Sequence, residues 1–470
     1  MRYNSDDNSQ WIQDLVAEYE LISKTGSNFF FDEKTYAQLI TYYEKEEQLD
    51  RALEVTDHAL SHHGFSVDFY IKKAQLLIDL RREYMALDVL EQAEVFAPNE
   101  LEIRLLRAEA LTYIDRSEEA LDLLEAAKAN AEGEDLSDIL LVEAIVYEYE
   151  EEYERMFYAL KAALQTFPGN LEALERLWLA VDLTRKYEES IPMLEEVINN
   201  DPYAFLAWYN LGHAYAYQGL YEEAIDAYEY AFVINEDFEF AYRDCAELCF
   251  ELKQYNKALK YYTEILENFE PDSEVLLCIG QCYQNLQNYL SARDFYHRAL
   301  HFDPLNDEVH FHIGECYAAE GKWRSAVKCY HKAISIEDRQ EDYFAALAEA
   351  LMHLKEYDKA QEAFHKATTL APESDRFWLQ YAAFLLEIDH AREALDILEE
   401  AEESAAGTSL LYGRVACLFR LGKRREAMAL LHEALEEEYE EHTTLFELNP
   451  LLESDPEVLG LIAAYKPLDG

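Results

Sequence analysis

Cys245 and Cys249 stand four residues apart, and the couple recurs as Cys278 and Cys282, with His297 and His301, and His312 and Cys316, spaced alike. That spacing sets two side chains on one face of a helix, a geometry that metal sites use. With Cys329, His310 and His331, the segment 278–331 is the chain's densest collection of soft ligands. It is where metal chemistry or catalysis would be lodged. Against this, the two-couple spacing of zinc sites is absent, and Cys245 and Cys249 fall on an apolar stripe where a thiol is a small filler. Glu222-Glu223 and Glu399-Glu400 read as solvated helix starts, favoured by the helix dipole, and not as acid/base dyads. No nucleophile elbow, phosphate-binding glycine loop or H-E-x-x-H occurs. The residues predict no enzyme, no cofactor and no bound metal.

The elements around these residues repeat. In the stretch 207–235, Trp208, Leu211 and Tyr215 share one stripe of a first helix, and Tyr221, Ala224, Ile225, Tyr228 and Ala231 share one of a second, with Gly219 at the turn. A lone hairpin of helices cannot bury both stripes, so neighbours are required. They follow at a spacing of 34: Ala224 recurs as Ala258, Ala292, Ala326, Ala360 and Ala394, and Tyr228 as Tyr262, Tyr296, Tyr330 and Phe364. Gly212 recurs as Ala246, Gly280, Gly314, Ala348 and Ala382, and Pro168, Pro202, Pro304 and Pro372 close units at one phase. The frame places twelve helix pairs, starting near Glu33, Val67, Leu101, Ser137, Leu171, Phe205, Glu239, Ser273, Asp307, Glu341, Asp375 and Ser409. Two extra residues near 133–136 predict a longer turn or a change of curvature, and Gly422 and Ala427, one residue early, predict a tightened turn.

The charge balance limits the partners. With 96 Asp+Glu against 40 Lys+Arg, the formal charge is −56, which disfavours nucleic acid and anionic membranes and favours basic partners. No signal peptide or transmembrane stretch is read, and seven scattered cysteines do not form a disulfide framework, so a cytoplasmic monomer is expected.

Trp208, Leu211, Gly212, Tyr215, Ala224 and Tyr228 fill the pattern W-x2-L-G-x2-Y…A-x3-F, so the chain resembles a long tetratricopeptide-repeat (TPR) protein over about residues 33–440. The resemblance implies an all-α, right-handed α-solenoid of about twelve stacked 34-residue helix–turn–helix repeats. The organisation expected is a leading segment 1–32 with one capping helix (Trp11, Leu15, Tyr19, Ile22), units 33–136 and 137–440, and capping helices in 441–470. The last of these starts at Asp455-Pro456 and carries Val458, Leu459, Leu461 and Ile462. Departures fall in the early units, with Ile40 and Trp178 where a small residue is usual.

The resemblance also implies a concave groove lined by first helices. The residues beside the packing stripes there are Leu105, Glu109 and Tyr113; Leu141, Ile145, Glu148 and Tyr149; Glu172, Glu175, Leu179 and Asp182; Tyr209, His213 and Tyr217; Phe240, Arg243, Glu247, Phe250 and Glu251; and Phe311 and Glu315. Carboxylates alternating with aromatic and aliphatic side chains suit a protein or peptide segment with basic and apolar residues. The Lys/Asn/Arg carboxylate clamp of TPR domains that bind acidic chaperone tails is not matched, Arg243 and Arg376 being isolated cations. The function expected is a protein–protein interaction scaffold. The alternatives are a metal-binding or enzymatic protein centred on 278–331, and a self-associating structural protein.

Overall fold

The computed structural model describes residues 5–25, 30–402, 404–405 and 407–466, with side chains from 11–21 and from 30 onward. Among the described residues every regular element is helical. Twelve helix pairs follow one another in the chain, from Glu33–Lys45 with Leu49–His62 to Ser409–Arg420 with Arg424–Glu437, and neighbouring pairs pack together within each unit. The chain packs as two compact units, residues 1–245 and 246–470.

Each pair turns by the same device. The residue after the first helix's last turn takes a left-handed φ, as Gly219, Gly321 and Gly422 do, but also Glu47, Arg81, Asp115, Lys253 and Asp389. The next amide closes back five residues, Leu220 N to Tyr215 O at 2.9 Å and Lys423 N to Leu418 O at 2.9 Å, the Schellman closure that satisfies orphan carbonyls. Glycine takes this backbone without strain, whereas the other side chains pay roughly 1–2 kcal/mol to hold it.

The pairs are held shut by a ring laid on a small residue. A Cβ added to Gly212 would sit 2.6 Å from the Tyr228 ring, and Gly280 and Gly314 meet Tyr296 and Tyr330 in the same way. All three tyrosines are buried, beside Ala224, Ala292 and Ala326, which are fully buried on the second helices. The recurrences of Gly212 and of Tyr228 are thus two halves of one contact, sixteen residues apart.

The insertion at 133–136 goes into a helix and not into a turn. Glu134–Tyr149 begins three residues ahead of Ser137, capped by Gly133 at φ +58°, and runs 16 residues. In the last pair the first helix, Ser409–Arg420, is one residue shorter than Phe205–Tyr217, while the turn at 421–423 keeps the three residues seen at 218–220. The missing residue comes out of the helix, so the turn is not tightened. Glu399 and Glu400 lie in the last turn of Ala391–Ala401 and not at a helix start.

Helix Ser5–Thr25 sets Leu15 and Tyr19 into the core of the first pairs beside Ile12 and Val16, while Trp11 stays half exposed and the side chain of Ile22 lies outside the described residues. At the other end Asp455 caps Pro456–Tyr465, accepting from the amides of Glu457 and Val458, and Arg424 grips its carboxylate at 2.6 and 2.8 Å. Val458 and Ile462 turn inward with Leu445 and Leu452, whereas Leu459 faces outward. No helix among the described residues is long and apolar enough to cross a membrane.

Overpacking and turn strain separate in a denaturation series. Gly212→Ala should cost about 1–3 kcal/mol because the Tyr228 ring must move. Gly219→Ala should cost only ~1 kcal/mol, from backbone strain alone. Urea melts of both variants check the order, which reverses if the ring contact is loose.

Candidate functional site

Four successive first helices of residues 1–245 (Val67–Asp79, Leu101–Thr112, Glu134–Tyr149 and Leu171–Thr184) line a cleft of about 570 Å³. Its floor is Leu105, Leu106, Leu141, Val142 and Ile145, and its rim carries Asp79, Glu100, Glu102, Glu109, Asp135, Asp138 and Glu172. Arg176 is the one cation among the lining residues; it binds Glu148 at 2.8 Å and Glu172 at 3.2 Å. Burial pushes the Glu109 carboxyl above the usual range, against a 3.3 Å hydrogen bond from Tyr113 and with the Glu172 charge adding to it. Asp79, Glu102 and Asp138 are raised too, each by burial first and then by neighbouring carboxylates. Several carboxylates therefore sit half out of water with too few cations to hold them.

At the edge of this region Tyr113 meets Tyr149 at 5.8 Å, the Arg81 guanidinium lies over the Tyr113 ring at 5.1 Å, and the Tyr149 hydroxyl donates to Asp115. Glu175 and Leu179 are exposed but outside the cleft lining; Asp182 accepts from the Tyr187 hydroxyl at 2.7 Å.

On Phe205–Tyr217 the predicted residues are bound into an aromatic network. Tyr209 donates to Asp244 at 2.6 Å, and the Tyr228 hydroxyl meets His213 Nδ1 at 3.1 Å. His213 Nε2 lies 3.2 Å from the same Asp244 without the alignment of a hydrogen bond, and Trp178 stacks on the imidazole at 4.3 Å. The large residue at 178 is thus matched by a ring from the next pair. Tyr217, about half exposed, stacks on Tyr187 at 4.5 Å. Phe240 is well exposed beside Phe238, and Arg243 pairs with Glu239.

In residues 246–470, Glu247 and Glu251 are exposed and Phe250 packs edge-on against Tyr255. The first helices Asp307–Ala319, Glu341–His353 and Asp375–Glu387 line a second cleft of about 590 Å³. Phe311, stacked on Tyr343 at 4.7 Å, joins Met352 and Phe384 as its apolar part; Glu308, Glu315, Asp342, Glu349 and Glu387 supply the charge, and Arg376 is held by Asp342 at 3.0 Å. The Gln380 carbonyl oxygen is buried in the lining with no hydrogen-bond partner. His312 bonds Glu315 at 2.9 Å and lies 3.4 Å from Glu308, while Gln284 donates to Glu315 at 2.9 Å. Burial alone would lower the imidazole pKa, but the two carboxylates outweigh it and hold it at about 9.

Of the expected site residues, the clefts bring together Leu105, Glu109, Leu141, Ile145 and Glu172 in one unit, and Phe311 and Glu315 in the other. Arg176, Asp138 and His312 were missed. Arg176 lies four residues from Glu172 on Leu171–Thr184, and Asp138 four residues from Val142 on Glu134–Tyr149, where the helix start at Glu134 sets the register. The soft ligands do not converge: among the described residues no three of His, Cys, Asp and Glu form a metal-binding group. Burial pushes Cys278 up to about 11 and Cys282 and Cys316 up to about 12, so these thiols are protonated fillers.

The family described as Tetratricopeptide repeat matches residues 205–238, and the family described as Anaphase-promoting complex, cyclosome, subunit 3 matches residues 319–401. No curated protein matches the chain. Among solved structures, YrrB, a TPR protein with an unusual peptide-binding site, is 17% identical over 39% of this chain and 94% of its own, with a TM-score of 0.34. Cut9, in the APC/C hetero-tetramer Cut9-Hcn1, gives 14% over 93% and 95%, TM-score 0.36. MamA 41-end from Desulfovibrio magneticus RS-1 gives 20% over 36% and 94%, TM-score 0.33.

The His312 network makes stability depend on pH. A histidine raised from its ordinary 6.5 to about 9 stabilises the fold fully below pH 6.5, and that contribution is lost as pH rises through 9. It is worth at most about 3 kcal/mol. The difference in urea stability between the native protein and His312→Gln, followed from pH 6 to pH 10, should shrink toward zero.

Proposed function

We propose that the chain is a tetratricopeptide-repeat protein, as the match over residues 205–238 supports, and a non-enzymatic scaffold binding a protein segment with both basic and apolar side chains. The guest lies against the first helices. The observation that carries this reading is the cleft of residues 1–245: seven carboxylates around a Leu/Val/Ile floor, with a single arginine inside. Half-desolvated carboxylates lose their penalty when an ammonium or guanidinium group arrives. Arg176, clamped between Glu148 and Glu172, is a built-in example of what such a surface accepts. The second cleft supports the amphipathic half of the reading, since Phe311, Tyr343 and Phe384 offer contact area beside Glu315, Glu349 and Glu387.

In this reading Leu105, Leu141 and Ile145 hold apolar side chains of the guest, and Glu109, Asp138 and Glu172 hold its cations. Exposed Tyr149, Tyr217, Leu179 and Phe240, with Glu175, extend the surface of residues 1–245, and Glu247 and Glu251 belong to the surface of residues 246–470. Tyr113, Asp182, Tyr209, His213, Arg243 and Phe250 act mainly by positioning their neighbours. The segments 1–32 and 441–470 serve as caps, and the blocks 33–136 and 137–440 as the array. A cytoplasmic monomer that avoids nucleic acid and membranes fits the charge of −56.

Because the cleft carboxylates titrate above the usual range, acid should weaken guest binding at a higher pH than ordinary surface carboxylates would. The test is calorimetric titration with a fourteen-residue helical peptide of alternating lysine and leucine pairs. Glu109→Gln with Asp138→Asn and Glu172→Gln should weaken it about tenfold or more and flatten its salt dependence. A glutamate-for-lysine peptide should not bind. Equal affinity for the native protein and the triple variant would remove the cleft from the account.

A further inference from the structure

The helix Phe205–Tyr217 has a second working face. Helical residues advance about 100° each, which puts Trp208, Leu211 and Tyr215 well away from Tyr209, His213 and Tyr217. Trp208, Leu211 and Tyr215 floor a shallow pocket of about 390 Å³ between the second helices Tyr187–Asn200 and Tyr221–Ile234. Trp208 is fixed there: its indole N–H donates to the Pro202 carbonyl at 3.0 Å, and Tyr230 stacks on its ring at 4.5 Å and 28°. The Tyr215 hydroxyl donates to Glu195 at 3.0 Å. Glu195, Glu223 and Asp226 edge the pocket, and no Lys, Arg or His lines it.

The tryptophan by itself is architectural. Trp378, five repeats on, makes the same bond, its indole N–H donating to Pro372 at 2.9 Å. At that unit, however, the counterparts of Glu195 and Tyr215 are His365 and Leu385, and the counterpart of Asp226, Asp396, is paired with Arg392 at 3.1 Å. Around Trp208 none of the three carboxylates pairs with a cation among the described residues, and the walls are aromatic and aliphatic. An aliphatic stem would lie against the partly exposed rings of Trp208 and Tyr215, with a positive head beside the carboxylates.

We propose that this pocket binds the side chain of one lysine or arginine from a partner protein, as a docking point separate from the first-helix clefts. Its walls offer ring faces for the stem and carboxylates for the N–H donors of the cation. A single side chain held this way binds weakly by itself and adds avidity to a second contact on the same partner.

The test uses the full chain carrying 5-fluorotryptophan, with the Trp208 resonance assigned by its loss in Trp208→Phe. The chain is titrated at constant ionic strength with acetyl-arginine amide, acetyl-lysine amide and acetyl-norleucine amide. A saturable shift of the Trp208 signal with arginine or lysine, and little with norleucine, is expected; the stronger cation identifies the preferred head group. Glu195→Gln with Glu223→Gln and Asp226→Asn should weaken binding at least fivefold, and Asp226→Asn alone, at an exposed position, should weaken it partly. The cleft variant Glu109→Gln with Glu172→Gln should leave it unchanged, so the two sites fail separately. A norleucine response equal to the cations, an unsaturable shift, or unaltered binding in both pocket variants would overturn the proposal.

Discussion

The structure depends on a ring laid against a backbone. Where Tyr228, Tyr296 and Tyr330 cross their first helices, only glycine leaves room for the ring. Packing at that density leaves no slack, so the two helices of a pair are locked at one separation. The same two positions trade volume along the chain. Glycine faces tyrosine in three pairs, alanine faces tyrosine, phenylalanine or leucine in Ala246/Tyr262, Ala348/Phe364 and Ala74/Leu90, and Ile40 stands opposite Thr56. Trp178, opposite Leu194, departs from this match, and its ring stacks on His213 of the next pair.

That lock decides what remains for function. Once the facing stripes are sealed, the free faces of successive first helices line the clefts at Leu105–Ile145 and at Phe311–Phe384. Acidic side chains gathered over apolar floors are costly where water is thinned, which is why Glu102, Glu109 and Asp138 hold their protons more tightly than usual. The array relieves part of this cost itself, with Arg176 in one cleft and His312 in the other. The remainder is what a cationic guest would relieve.

The helix pairs were legible because two periodicities coincide: the helical stripe and the 34-residue spacing of Ala224 and Tyr228. The insertion at 133–136 was visible, but its destination was not, since a helix start set by Gly133 at φ +58° looks the same in sequence as a longer turn. The nine turns with a non-glycine left-handed residue carry no compositional mark, unlike Gly219. Tyr209 and His213, read from the sequence as groove residues, are tied down through Asp244. Partnerships 35 and 31 residues apart are set by how neighbouring pairs stack, a distance no local pattern records. The couples of cysteine and histidine shared helix faces without sharing a point in space.

The ring contact can be measured where glycine and tyrosine meet most closely. A double-mutant cycle by urea denaturation would combine Gly280→Ala with Tyr296→Leu, recreating the alanine–leucine match found at Ala74 and Leu90. If the contact governs pair geometry, the alanine substitution should cost at least about 1 kcal/mol less in the leucine background than in the native one. Additive costs, agreeing to within ~0.5 kcal/mol, would mean that ring and small residue do not constrain each other, and the account would lose its foundation.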